Sequence, residues 1–350
     1  MYRQVADAVL RDIQSAKYRP GQKLPSEAAL VKRFDTSRIT IGRALRELKN
    51  DNWVHGIAGS GNFVSAGSAS ANRLLFGLLI PNLGESEIFE PICQGLASAP
   101  EAREYALLWG HTVGPPADLE TQALDLGRQF VKQKAAGVFF APLELTPNKD
   151  AVNRRICSLL DDAHIPIVLL DRCILPFPHR SRYDLVGIDN RRAGYLATEH
   201  LLRSGSRHIS FLALAGAAPT VEARIAGYRE ALLAPGTVHR LIAVTEDAVQ
   251  QIMTEARSQA FVCANDRLAG QLMHALQELG YRVPQDVRVV GIDDVEYARL
   301  LPVPLTTVHQ PCRAIGEAAI TTMLHRLQHP DSATRDVLLA CELIVRRSSA

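Results

Sequence analysis

The sequence predicts an α/β protein in which an N-terminal winged helix-turn-helix precedes a larger body of two parallel α/β lobes. Three observations support this prediction. Residues 1–66 carry three helical patterns and a glycine-tipped hairpin, whereas residues 73–348 alternate short apolar runs with amphipathic helices, as parallel sheets do. A small, polar stretch without periodicity, VSAGSASAN, separates the two regions and predicts a flexible linker over residues 67–72. A length of 350 residues accommodates two or three domains.

The N-terminal region is predicted to form three helices followed by a hairpin. Ser26 and Ser37 are well placed to cap the second and third helices, and a loop containing Gly59, Ser60 and Gly61 joins the two strands of the hairpin. The predicted bounds are residues 2–15, 26–34 and 37–49 for the helices and 53–55 and 62–64 for the strands.

The body is predicted from its apolar runs and from the helical patterns between them. Glycines at 205 and 280 are placed to end two of these helices. The predicted helices include residues 191–204, 222–233 and 266–279. The predicted strands are residues 75–80, 105–109, 137–141, 167–170, 185–187, 209–214, 260–263 and 287–291.

Charge is unevenly distributed between the two regions. The whole chain has a formal net charge of only +2, which by itself argues against a nucleic-acid-binding protein. Residues 1–66, however, contain 11 Lys and Arg against 6 Asp and Glu, a charge of +5, and the rest of the chain has 28 against 31, a charge of −3. The basic N-terminal region is therefore the candidate for binding DNA.

The predicted third helix carries the side chains expected to read DNA. Ser37, Arg38, Thr40 and Arg43 fall in its first turns, where arginine can contact guanine and hydroxyl groups can contact phosphate. Each arginine taken alone is more readily explained by a solvated helix face than by DNA contact, and the hairpin glycines by an ordinary tight turn. Their occurrence together, in this order, favours DNA binding.

Residues 1–66 resemble the winged helix of the GntR family through the strings PGQKLPSEAAL, SRITIGRALREL and WVHGIAGSGNFV. The resemblance implies that Arg38 and Thr40 contact DNA and that Gly61 lies in the wing. Gly42 stands at a position that is commonly basic in the family, and Ala28 and Ala29 replace the arginine often found in the second helix. Arg43 and Arg46 compensate for these departures. The expected DNA-binding residues are Ser26, Ser37, Arg38, Thr40, Arg43, Arg46, Ser60 and Gly61.

Polar residues follow several predicted strands of the body, where ligands bind in parallel sheets. Asp171, Asn265 and Asp293 are the main examples, and for these three ligand contact and helix capping remain equally open. Asp266 is expected to cap the helix that follows it. Asp, Asn and Arg side chains with an aromatic such as Phe89 or Trp109 suit a polyhydroxylated ligand; Asn82, Glu85, Glu87 and Arg224 are further candidates.

Residues 73–348 resemble the effector domain of the LacI/GalR family, which has a periplasmic-binding-protein-like fold. Matching strings are GIDNRRAGYLATEHLLRSGSRHISFL, EARIAGYREAL and AFVCANDRLAGQLMHALQELGYRVPQDVRVVGIDD. The resemblance implies one lobe of about residues 73–184 and 312–339 and another of about 185–311 and 340–348. NLGESEIFEPI replaces the usual first-lobe loop, with Phe89 in the aromatic role. The expected effector-binding residues are Asp171, Thr220, Arg224, Asn265, Asp293, Gln310, Phe89 and Glu87.

A GntR-like head on a LacI-like body resembles the arabinose-responsive repressors of bacteria. It implies a cytoplasmic, homodimeric transcriptional repressor that binds double-stranded operator DNA and a carbohydrate effector, without cofactor, metal or membrane. No apolar run is long enough to cross a bilayer, and the six scattered cysteines predict reduced thiols. A periplasmic-type sugar-binding protein or a sugar-modifying enzyme is the alternative, although HExxH and GxSxG motifs are absent.

Overall fold

The computed structural model confirms the α/β fold class. It divides the chain into two compact units, the first 74 residues with residues 103–106 and the remainder. Below, the head denotes the described residues up to 65, and the body denotes those from 74 onwards. The described residues are 2–15, 17–19, 21–50, 53–57, 60–65, 74–81, 83, 87–103, 105–110, 116–176, 179–233, 238–244 and 259–350.

The head consists of three helices and a two-stranded hairpin. These elements are α1 (Tyr2–Gln14), α2 (Glu27–Phe34), α3 (Arg38–Asn50), β1 (Val54–Ile57) and β2 (Gly61–Val64). Ser26 caps α2, its Oγ accepting a hydrogen bond from the Ala29 amide at 3.2 Å. The apolar faces of all three helices meet in one core, in which Val9, Leu30 and Ile41 are almost fully buried.

The hairpin is extended by a third segment of chain. β1 and β2 pair antiparallel, and the backbone before α2 bonds to β2 as well, since the Leu24 amide donates to the Asn62 carbonyl at 2.8 Å. The expected loop contained Gly61, but the structure places Gly61 in β2, opposite Ile57. Its φ of +109° lies in a region that only glycine adopts readily. Gly59 lies outside the described residues.

The first lobe of the body is built on a six-stranded sheet in the order β13-β7-β6-β5-β3-β4. The described pairings from β13 through to β3 are all parallel. Its elements are β3 (Leu74–Leu79), α4 (Phe89–Ser98), a 3₁₀ turn (Pro100–Arg103), β4 (Tyr105–Trp109), α5 (Pro116–Lys132), β5 (Gly137–Phe140), α6 (Lys149–Asp162), β6 (Ile167–Leu170) and β7 (Asp184–Ile188).

The second lobe has a sheet of the same size in the order β14-β12-β11-β10-β8-β9, parallel except for β14, which runs antiparallel to β12. Its elements are α7 (Asn190–Arg203), β8 (His208–Leu214), α8 (Pro219–Ala231), β9 (Val238–Val244), β10 (Ala260–Cys263), α9 (Asp266–Glu278), β11 (Arg288–Asp293), α10 (Glu296–Leu300) and β12 (Thr306–His309). The remaining elements are α11 (Cys312–Gln328), β13 (Asp336–Leu339) and β14 (Glu342–Ile344).

Three segments cross between the lobes, after β7, after β12 and between β13 and β14. The expected lobe boundary near residue 185 is therefore wrong, because β7 pairs with β6 and with β13 in the first sheet. The crossing lies after Ile188 instead. The crossings leave both sheets at the carboxyl ends of their parallel strands. The loops that follow these strands in the two lobes therefore lie close together.

Candidate DNA-binding surface and effector cleft

The solvent face of α3 is basic. Arg38, Arg43 and Arg46 are all exposed on this helix, whose opposite face buries Ile41 and Leu45 in the head core. The Arg38 guanidinium lies 3.4 Å from a Glu27 oxygen in an exposed ion pair.

Arg43 is held by the neighbouring helix, and its guanidinium lies 4.2 Å from the centre of the Tyr2 ring. The helix therefore presents three positive charges, of which at least two have local partners that DNA phosphates would compete with.

Three of the four expected hydroxyl contacts of the head also serve its own fold. Ser37 caps α3, since the Thr40 amide donates to its Oγ at 3.2 Å, and the two hydroxyl groups lie 2.9 Å apart. Ser26 performs the same role for α2. Because a capping hydroxyl retains further hydrogen-bonding capacity, capping and a phosphate contact are compatible.

The described part of the wing is exposed where it borders the hairpin loop. Ser60 and Gly61 are both exposed, and the Ser60 amide donates to the Ile57 carbonyl at 2.9 Å. A Cβ added at Gly61 would lie 3.1 Å from the Lys23 side chain, so the chain before α2 places a lysine beside the wing glycine. The wing therefore offers a charge and a bare backbone together, both suited to a phosphate chain.

In the body, Arg224 forms the centre of a buried polar cluster between the lobes. It is 4% exposed and donates to Asn190 Oδ1 at 2.8 Å, to the Ala264 carbonyl at 2.5 Å and to Asp293 Oδ1 at 3.5 Å. Its position depends on a close helix crossing: a Cβ at Gly194 of α7 would lie 1.9 Å from the Arg224 carbonyl oxygen on α8.

Asp293 and Gln310 form the second part of the cluster. Gln310 Nε2 donates to Asp293 Oδ1 at 2.5 Å, and Gln310 is only 2% exposed. Burial raises the pKa of Asp293 to about 7, and the nearby Arg224 guanidinium offsets this only in part. Gln310 Oε1 is buried and has no hydrogen-bond partner among the described residues.

Asp171 enters the same cluster from the first lobe. It is 5% exposed with a left-handed backbone (φ 67°), and burial raises its pKa, while Arg172 and Arg224 oppose the increase. Its Oδ1 is buried without a hydrogen-bond partner among the described residues, like Gln310 Oε1. Two buried acceptors of the cluster, Asp171 Oδ1 and Gln310 Oε1, are therefore left without a donor among the described residues.

The sequence pattern missed two members of the cluster, Arg172 and Glu144. Arg172 is 4% exposed, forms an ion pair with Glu144 and lies with its guanidinium carbon 5.4 Å from the centre of the Phe89 ring. Burial alone would raise the pKa of Glu144, but Arg172 outweighs it and keeps that pKa below its ordinary value. Arg172 follows Asp171 directly, which was the available signal; nothing local marks Glu144.

Glu144 also joins the two lobes. Its Oε2 accepts a hydrogen bond from the Ala218 amide at 3.2 Å, and the Leu145 amide donates to the Gly216 carbonyl at 3.3 Å. Residues 144–145 belong to the first lobe and residues 216–218 to the second. These two bonds, called the interlobe latch below, hold the lobes together in the arrangement that the structure shows.

The other expected effector residues have different positions. Asn265 is the N-cap of α9, since its Oδ1 accepts from the Leu268 amide at 2.9 Å, so the expectation that Asp266 is the cap is wrong. Asp266 is fully buried instead and accepts from Thr307 Oγ1 at 2.6 Å. Thr220 is half-buried in the first turn of α8. Asn82 and Glu85 lie outside the described residues.

A cavity of about 990 Å³ adjoins Asp293 and Gln310. Its lining residues include six carboxylates and a single arginine, Arg313. Glu87, expected as a ligand contact, is one of the six and is exposed; partial burial raises its pKa. The carboxylates that line the cavity are Glu87, Glu90, Asp293, Asp294, Glu296 and Glu317.

No helix among the described residues is long and apolar enough to cross a membrane. Within the same part of the chain, no group of three or more His, Cys, Asp and Glu side chains is arranged to hold a metal ion.

Two family models match this chain. Residues 1–64 match the bacterial regulatory proteins of the gntR family, and residues 198–349 match the periplasmic binding protein-like domain. Among solved structures, the chain is similar to a transcriptional regulator CelR–cellobiose complex (25% identity, 89% of this chain, 90% of that one, TM-score 0.66). A ribose-bound LacI family regulator from Enterococcus faecium shares the fold (22% identity, 79% and 98% covered, TM-score 0.65).

Curated relatives extend the likeness to the whole chain. The arabinose metabolism transcriptional repressor of Geobacillus stearothermophilus is 28% identical, over 99% of this chain and 97% of the relative. The HTH-type transcriptional repressor PurR of Vibrio atlanticus (strain LGP32) is 31% identical, over 74% of this chain and 76% of the relative. The chain therefore belongs to the LacI-type family of DNA-binding transcriptional repressors and carries a head of the gntR family.

Proposed function

We propose that this repressor responds to a neutral, polyhydroxylated effector, a carbohydrate, bound between the two lobes of its body. The observation that carries the proposal is the pair of unsatisfied acceptors, Asp171 Oδ1 and Gln310 Oε1, buried beside Asp293 in the cleft. A buried acceptor without a donor is costly, and sugar hydroxyl groups are donors that would satisfy it.

The charges of the cleft favour a neutral ligand over a phosphate or carboxylate. Arg172 pairs with Glu144, and Arg224 pairs with Asp293, so both guanidiniums of the cluster already face carboxylates. Asp171 adds a further buried carboxylate, and the adjoining cavity is lined by six carboxylates against a single arginine. An anionic ligand would meet a negative potential on entering and would find no unpaired arginine in this cluster.

Closure of the lobes links the effector to the head in this proposal. The interlobe latch forms only when the lobes approach, so a ligand that contacts Asp171 on one side and Gln310 on the other favours the latched arrangement. Such a ligand shifts the equilibrium by its unequal affinity for the open and closed states and by no more. A homodimer, which would place two heads on a pseudo-palindromic operator, makes this change in geometry a change in operator affinity.

Three named similarities support a carbohydrate effector. The curated relative that matches the full chain regulates arabinose metabolism, and two similar structures contain cellobiose and ribose. We infer that the chain acts in the cytoplasm, where operator DNA is found, and that it catalyses no reaction. The proposed site residues are Asp171, Arg224, Asp293 and Gln310, with Arg172 and Glu144 added by the structure.

A thermal-shift screen of the full chain tests the proposal with three ligand sets: neutral sugars, sugar phosphates and sugar acids. One neutral sugar at about 100 times its Kd should raise Tm by about 5–10 °C and change operator affinity. Gln310→Leu should lose this response, whereas Gln277→Leu, at an exposed glutamine of α9, should retain it.

Four outcomes would count against the proposal. A response confined to sugar phosphates would contradict the neutral ligand, and an unchanged response of the Gln310 variant would contradict the cleft. Recovery of a chemically altered sugar after incubation, measured by mass spectrometry, would indicate an enzyme. Sedimentation of the chain as a monomer on operator DNA would contradict the homodimer.

A further inference from the structure

The solvent-facing side of α3 carries one large apolar side chain at its centre. Ile39 is 82% exposed, although the other large apolar residues of α3 lie in the head core. Successive residues of a helix are about 100° apart, which places Ile39 nearly opposite the buried stripe of Ile41, Leu45 and Leu48. Ile39 therefore stands on the middle of the exposed face.

The surroundings of Ile39 are positively charged. Arg43 and Arg46 follow it by one and two helical turns, and Arg38 precedes it directly. On an ordinary surface, a single exposed isoleucine needs no explanation. Here it occupies the centre of the charged face that approaches a polyanion, where any apolar group is desolvated on binding.

Gly42 provides evidence that is independent of the exposure of Ile39. Gly42 lies one turn after Ile39, on the same face, and it has no positive φ that would require glycine. A Cβ at this position would meet nothing within 4 Å, so packing within the head does not require glycine either. Because glycine weakens a helix interior, the absence of an internal reason points to an external partner that approaches the backbone closely.

We propose that Ile39 and Gly42 together form an apolar contact for a thymine methyl group in the major groove. The proposal rests on the head binding duplex DNA through α3. The 5-methyl group of thymine is the apolar feature that base pairs display in the major groove, and an aliphatic side chain is its usual partner. Gly42 removes the side chain that would otherwise stand beside Ile39, so the base edge can reach the isoleucine.

The flanking arginines supply the positive charge that DNA phosphates require around this apolar contact. Arg38, Arg43 and Arg46 surround Ile39 and neutralise phosphates or read guanine. The isoleucine then adds selectivity that charge cannot supply, since phosphates are the same at every base pair. This division of roles predicts that Ile39 affects one base position, while the arginines affect affinity at all sequences.

The test uses the full chain and a duplex selected by it from a randomised pool. Each thymine is replaced in turn by deoxyuridine, which removes only the methyl group, and Kd is measured by fluorescence anisotropy at fixed salt. We expect one thymine at which this change weakens the native protein about fourfold, the effect of one buried methyl-sized group. Ile39→Ala should reduce that dependence to less than about 1.5-fold.

A matched control is available in the wing. Ile57 is 48% exposed, and Ile57→Ala should retain the fourfold dependence at that thymine. Gly42→Gln should weaken binding and reduce the dependence as well, because its side chain would separate Ile39 from the base. The Tm of Ile39→Ala should equal that of the native protein, because the Ile39 side chain is exposed.

The outcomes separate this inference from the proposed function. Methyl dependence that persists in Ile39→Ala, or that is absent at every thymine of the native complex, overturns the inference while DNA binding stands. Failure of the chain to select any duplex overturns both.

Discussion

Replacing Arg224 by methionine tests whether the cleft is organised around a buried charge pair. Methionine has a similar length and packs well in irregular spaces, so the change removes the charge and the hydrogen bonds without leaving a large cavity. Three acceptors lose a donor in this variant: Asn190 Oδ1, the Ala264 carbonyl and Asp293 Oδ1. Asp293 then keeps Gln310 as its hydrogen-bond partner within the cluster.

The expected magnitude follows from the burial of the pair. Arg224 is 4% exposed, and the Asp293 side chain is 14% exposed. Removing one partner of a buried ion pair costs about 3–5 kcal/mol, because the other charge stays buried without compensation. In a domain of this size, that loss corresponds to a decrease of about 6–20 °C in Tm. Adding Asp293→Asn should recover part of it, since a neutral amide needs no counter-charge.

The assay is thermal and urea-induced unfolding of the native chain, both single variants and the double variant, which together form a double-mutant cycle. Arg229→Met is the matched control, because Arg229 is exposed on the same helix α8 and should change stability by less than about 0.5 kcal/mol. A Tm of Arg224→Met equal to that of the control would refute the reasoning. So would a double variant whose change in stability equals the sum of the changes in the two single variants.

The sequence predicted the location of the cleft better than its internal contacts. Asp171 and Asp293 end parallel strands in the two lobes, and the rule that such ends converge places both at one site. Their orientation depends on backbone conformation that no local pattern specifies. Both have positive φ, 67° and 132°, and Asn265, which follows a strand in the same way, instead caps α9.

The pairing of Glu144 with Arg172 could not be predicted for a different reason. These residues follow two adjacent strands, β5 and β6, and Glu144 also bonds to the opposite lobe. The pair therefore depends on strand order and on lobe closure, which are properties of the folded chain. The surrounding stretch APLELTP has neither helical nor strand periodicity that would mark its glutamate.

Burial separates the two aromatic candidates that the sequence left open. Phe89 is 1% exposed against Arg172, whereas Trp109 is 64% exposed at the end of β4. The strand pattern also omitted β9, β12, β13 and β14, of which three have only three or four residues. A strand of three or four residues at or near a sheet edge has too few apolar positions for their alternation to be recognised in the sequence.

Three further predictions concern the cap, the latch and pH. Ser37→Ala should cost about 1 kcal/mol through the lost cap of α3, lowering the Tm of head unfolding, whereas Ser60→Ala should not. Glu144→Ala should weaken effector binding about tenfold in calorimetry by removing the latch acceptor, with effector-free operator affinity unchanged. Asp293→Asn should stabilise the body increasingly as pH rises from 5 to 8, by on the order of 1–3 kcal/mol in urea unfolding. The reason is that burial raises the pKa of Asp293 to about 7, so the native carboxyl binds its proton more tightly folded than unfolded and loses that contribution as pH rises. If the stability difference between the variant and the native chain stays constant with pH, the Asp293 carboxyl is ionised throughout. The cleft then holds a negative charge at pH 5, where the raised pKa of Asp293 predicts a neutral carboxyl.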